Sequence, residues 1–224
     1  MRTAWRWCAT AGIVAFTFSS LFAHIPGLVA CGPTGGLEPI IAFELARTTA
    51  DIASLFGAEP CTATLVGAQK TGLLLDGLGF IPSYTAFLIL GAIAAGARGR
   101  GRQVTLAIFL GAALSDEIEG FLLNTILDHL PGTPTLLQGL WWAVHMKFGL
   151  LALGTIQIGQ LLGGTSWPSR IAAGLMIAGG LLACFGLGSS AAGSMMRGFL
   201  IAWVALLIVA LISSFWPRVF SSDS

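Results

Sequence analysis

The chain has 224 residues, of which 55% are hydrophobic and 9% charged, with a formal net charge of +1 and a mean hydropathy of +0.86. Soluble domains carry roughly 25% charged residues, so this composition excludes an ordinary soluble enzyme and indicates an integral membrane protein. No basic run interleaved with aromatics is present, which argues against nucleic acid, and the length suits several spans of about 20 residues without a large extramembrane domain.

The expected architecture is all-α: a polytopic membrane helix bundle forming one integral domain over residues 1–224 of an inner membrane. Met1 to Ala30 opens with Arg2 and Arg6 and then turns apolar, as either a first span (7–30) or a secretory signal does. Leu28-Val29-Ala30-Cys31 also resembles a bacterial lipobox, but His24 and Pro26 suit that reading poorly, and a retained signal anchor is the expectation.

Residues 31–70 form the one sizeable polar connection, expected on the outer side. Within it Ile41, Leu45, Thr48, Ile52 and Leu55 recur at helical spacing, with Glu44, Arg47 and Asp51 together on a flank. The spacing predicts one short amphipathic helix, opened by Pro39 and closed by Gly57 and Pro60.

A second span is predicted over 72–97, stopped by Arg98, Arg100 and Arg102, and a third over 104–123. Asn124 to Thr135 reads as a turn, and three more spans follow at 136–163, 171–188 and 198–216. Six spans with both termini cytoplasmic put Arg2, Arg6, Arg98, Arg100, Arg102, Arg170 and Arg218 inside, against Arg47, Lys70 and Arg197 outside. Gly149, Gly154, Gly159 and Gly163 in the fourth span, and Gly174, Gly179, Gly180 and Gly186 in the fifth, are read as close helix packing.

Cys8 and Cys184 fall within predicted spans, whereas Cys31 and Cys61 share the outer loop. An oxidising outer compartment makes a Cys31 to Cys61 disulfide the expectation, and no C-x-x-C spacing supports redox catalysis.

Ionisable groups in apolar spans are costly and normally face the bundle and pair. LGAALSDEIEG carries Asp116 and Glu119 at i,i+3 on one helix face, with Glu117 turned about 100° away. Asp76, Phe80, Ser83 and Tyr84 make one stripe on the preceding span, where Pro82 can kink the helix. His145 and Lys147 are two residues apart, so at most one faces the acids squarely. A zinc sphere from His24, His129 and His145 with an acid matches no compact ligand motif, and no cofactor is expected.

The leading functional expectation is an acid/base site in the outer half of the bilayer, acting on a lipid or isoprenoid-like substrate. Asp116 and Glu119 would supply acid/base chemistry, Asp76 and Tyr84 would orient or donate, and Lys147, with His145 nearby, would balance charge. No nucleophile motif is present. Two alternatives stand beside it: a small proton-coupled transporter or channel subunit, and a structural membrane subunit with internally paired charges. Membrane lipids, and a lipid-like or small-molecule ligand, are the partners implied.

Overall fold

The computed structural model describes residues 2–164, 166–188 and 192–216. Among these the chain is an all-α bundle of eight helices: α1 (Arg2–Phe22), α2 (Pro39–Glu44), α3 (Thr49–Phe56), α4 (Cys61–Ala94), α5 (Gly99–Asp128), α6 (Pro134–Leu162), α7 (Trp167–Gly188) and α8 (Ala192–Phe215).

Four of these helices, α4, α6, α7 and α8, are long and apolar enough to cross a membrane, which corrects the expectation of six spans. Every 18-residue stretch of α5 contains at least three of Arg100, Arg102, Asp116, Glu117, Glu119 and Asp128, too many charges for the apolar criterion. In α1 the apolar residues are interspersed with two arginines, two tryptophans, threonines and serines, and the helix stops at Phe22 rather than running to residue 30. The alternation of sides that assigned cytoplasmic termini rested on six crossings and does not follow from four. Arg218, counted in that argument, lies outside the described residues.

The predicted single amphipathic helix is instead two helices, α2 and α3. The break comes from a capping box: Thr48 Oγ1 accepts from the Asp51 N–H at 3.1 Å, and the Asp51 carboxylate accepts from the N–H groups of Thr48 at 2.8 Å and Arg47 at 2.9 Å. Such a cap satisfies orphan donors at a helix start, so Thr48 begins a new helix rather than continuing the old one. Gly57 ends α3 at φ +60°, where a Cβ would sit 2.8 Å from Cys31 Cβ. Both facts call for glycine.

The chain divides into two compact units. One comprises Phe16–Ile81 and Leu114–Lys147. In it Leu65, Ala68, Gln69 and Gly72 form the buried face of α4, at the 3.6-residue spacing of one helix side. Cys31 and Cys61 form a close pair consistent with a disulfide, with Cα atoms 5.9 Å apart. Gln69 Nε2 donates to Pro39 O at 3.1 Å, and Phe43 packs edge-on against Phe56 with ring centroids 5.1 Å apart, so α2 is held on both sides. A π turn, Asp76–Phe80, widens α4 just before Pro82, which cannot donate to a carbonyl one turn back.

The other unit comprises the described residues of Met1–Ala15, Pro82–Ala113 and Phe148–Ser224. Its α7 and α8 approach closely at Gly179 and Gly198, where a Cβ on Gly179 would lie 2.5 Å from Gly198 O and 2.8 Å from Ala202 Cβ. Gly154 faces Phe109, Gly159 faces Met176 and Ile177, and Gly186 faces the Met195 backbone. The packing role expected of these small residues therefore holds at those positions, while Gly149 and Gly174 face open space. Trp203 Nε1 donates to Thr155 Oγ1 at 3.3 Å in a buried contact, and Thr105 Oγ1 donates to Gln157 Oε1 at 3.2 Å in a part-buried one, each linking two helices.

Candidate functional site

Lys147 lies on α6, whose start follows from its sequence: Pro134 takes the first turn, and Thr133 Oγ1 accepts from the Leu136 N–H at 3.3 Å. From there the helix carries the lysine into the interior, where its side chain is only 5% exposed. Its ammonium has three N–H donors, and three carboxylates surround it. Nζ is 2.7 Å from Glu119 Oε1, 3.1 Å from Asp116 Oδ1 and 3.1 Å from Glu44 Oε2. Asp116 and Glu119 come from one face of α5, and Glu44 is the last residue of α2. One cation thus joins three helices of a single unit.

If all three acids were ionised, this buried group would carry two negative charges beyond what Lys147 neutralises. Burial pushes the Glu44 carboxyl above its ordinary value, with Asp116 acting in the same direction and Lys147 pulling against both. A neutral carboxyl at Glu44 relieves part of the excess. Removing Lys147 would leave buried charges unpaired, a change that typically costs about 3–5 kcal/mol.

Asp76 opens the π turn of α4 and is half-buried. It lines a cleft of about 340 Å³ with Lys70, Gly77, Asp116, Glu117 and Asn124 among others. Asp116 therefore belongs both to the ion cluster and to the cleft wall. Glu117 is exposed, and its carboxylate borders Gly77 across the same cleft. At the surface Lys70 Nζ meets Asp128 Oδ1 at 2.5 Å, and this bond holds the Asp128 carboxyl below its usual value.

Of the six residues singled out from the sequence, the structure gathers Asp116, Glu119 and Lys147, with Asp76 on the adjoining cleft. His145 does not join them: its ring stacks on Trp141 with centroids 4.0 Å apart, and its Nδ1 lies 2.7 Å from Trp141 O. Tyr84 belongs to the other unit, buried against Trp203 with centroids 5.6 Å apart. The stripe from Asp76 to Tyr84 assumed uniform helical geometry, which the π turn interrupts. His24 and His129 likewise contact the carbonyls of Ser20 and Thr125, four residues back. No group of three or more His, Cys, Asp or Glu suited to a metal ion occurs among the described residues.

Glu44 is the residue that sequence reasoning missed. Treated as part of one amphipathic helix, it sat on a polar flank with Arg47 and Asp51. The available signal was the Thr48–Asp51 capping pair, which ends that helix and leaves Glu44 in the apolar run Pro39 to Ala46.

The arrangement can hold helices together through charge, and its excess acid can hold a proton. No protein-family model, curated protein or solved structure matches this chain.

Proposed function

We propose that the chain is a multi-pass inner-membrane subunit whose charged cluster acts as an internal lock, fixing α2 against α5 and α6. The observation that carries this reading is the placement of Lys147 Nζ within 3.1 Å of acids from two other helices, all buried. Mutual pairing meets the demand that charges in an apolar bundle be satisfied without an external substrate. The enzyme reading receives less support, because the acids assigned to its acid/base chemistry are engaged on the lysine.

The test compares Lys147→Met alone with the charge-free combination Glu44→Gln, Asp116→Asn, Glu119→Gln and Lys147→Met. For a lock, the single change lowers detergent-solubilised stability strongly, by about 3–5 kcal/mol, while the combination restores a folded protein. Wild-type stability in Lys147→Met would sink the proposal. Alkaline carbonate extraction tests the membrane assignment separately: release into the soluble fraction would contradict it.

A second reading, proton-coupled transport, rests on Asp116 being shared between the cluster and the cleft that also exposes Asp76. Proteoliposomes bearing the wild type would then dissipate an imposed pH gradient, and Asp116→Asn would abolish the flux. Equal leak from wild-type and empty liposomes would eliminate this alternative.

A further inference from the structure

A second cleft, of about 480 Å³, lies in the unit that holds the ion cluster and is lined by Arg47, Thr48, Thr49, Pro134, Leu137, Gln138, Trp141 and Trp142. Its lining contains one guanidinium and no acid. Arg47 is exposed, and among the described residues its guanidinium makes no ion pair. The nearby Asp51 carboxylate accepts through Oδ2 from the backbone N–H groups of Arg47 and Thr48 and feels the Arg47 charge without a direct ion pair. A planar fork of donors beside a cavity whose lining holds no acid is suited to a phosphate.

The aromatic wall is held in place. Trp141 stacks on His145 at 4.0 Å and meets Trp142 edge-on at 4.7 Å between centroids, so both rings are oriented before any ligand arrives. Their indole N–H groups bond to no described residue, and Trp142 is 57% exposed. These tryptophans follow Pro134, the start of a helix long and apolar enough to cross a membrane, by seven and eight residues, or about 10–12 Å along the axis. Paired tryptophans near the end of a span belong at headgroup depth.

We propose that this cleft binds the headgroup of an anionic phospholipid, with Arg47 on the phosphate, Gln138 and the indole N–H groups as neutral donors, and Leu137 and Pro134 against the glycerol and first acyl carbons. The proposal rests on the membrane reading above. A zwitterionic choline headgroup would bring a cation to a lining that offers it no acid. The cavity volume is within the roughly 300–1,000 Å³ of small-molecule sites.

The experiment uses the full chain purified in detergent, with retained adducts of phosphatidylglycerol and phosphatidylcholine read by native mass spectrometry. Phosphatidylglycerol is expected to bind the wild type in preference to phosphatidylcholine. Arg47→Gln should weaken that binding about tenfold, as loss of a charge-assisted contact does, with Arg47→Lys intermediate. Trp142→Ala, at an exposed position, should also weaken it and provides the reading if Arg47→Gln fails to fold. Equal binding of the two lipids, or undiminished phosphatidylglycerol binding to Arg47→Gln and Trp142→Ala, would overturn the proposal. So would inorganic phosphate displacing the lipid at equal concentration, because the site would then recognise a free anion. A chain that remains in carbonate-washed membranes yet gives any of these results has lost the lipid site alone, not its membrane assignment.

Discussion

Lys147 and Glu119, 28 residues apart in sequence, place Nζ and Oε1 2.7 Å apart with both side chains at most 5% exposed. This is the shortest of the three carboxylate contacts around the lysine. Glu119→Gln keeps the shape and an acceptor oxygen while removing one negative charge from a group that has a surplus. It is therefore expected to lower stability less than Lys147→Met, which strands the acids, and thermal unfolding in one detergent checks the order. A Glu119→Gln loss equal to that of Lys147→Met would contradict the charge accounting.

Glu44 sets the sign of a pH effect. Its folded value is raised by burial above the ordinary carboxylate value of about 4.3, so the folded state holds this proton more tightly than the unfolded chain does. Its contribution to stability is thus fully present below the unfolded value and is lost as pH rises through the folded one. Glu44→Gln should flatten the decline of melting temperature on the alkaline side of pH 4. An unchanged slope would show that Glu44 does not contribute to it.

The four cysteines should separate by labelling with a membrane-permeant maleimide. Cys184 is exposed and Cys8 buried, while Cys31 and Cys61 form a close pair consistent with a disulfide. Native protein is expected to gain one label, unfolded unreduced protein two, and reduced unfolded protein four, as read by intact mass. Four labels without reductant would exclude the pair. Replacing both Cys31 and Cys61 by alanine should cost a few kcal/mol, about 2–4, by freeing a long loop in the unfolded chain.

Thr48→Ala removes the side-chain acceptor that starts α3. The expected loss is about 1 kcal/mol, localised to α3, and faster amide exchange at Asp51 and Ile52 than elsewhere in the helix would register it.

In α7, Gly179→Ala is expected to destabilise because the new methyl group meets the Gly198 carbonyl, whereas Gly174→Ala faces open space and should be neutral or slightly stabilising. Equal melting temperatures for the two variants would contradict the close approach.

Much of this was legible in the residues themselves because it depends on local spacing. Composition implied long apolar helices, the i,i+3 relation put Asp116 and Glu119 on one face, and the separation of two cysteines in a polar loop marked them as partners. The two-residue offset between His145 and Lys147 required that only one meet the acids, but which one was a question of packing. Trp141 captured the histidine by stacking, and the lysine was left to the carboxylates. Glu44 reaches Lys147 across 103 residues because a cap at Thr48 breaks the loop into two helices and the Pro39 and Phe43 contacts hold the first in place. Periodicity constrains neighbours within a helix; only tertiary contacts decide which faces of different helices share an ion.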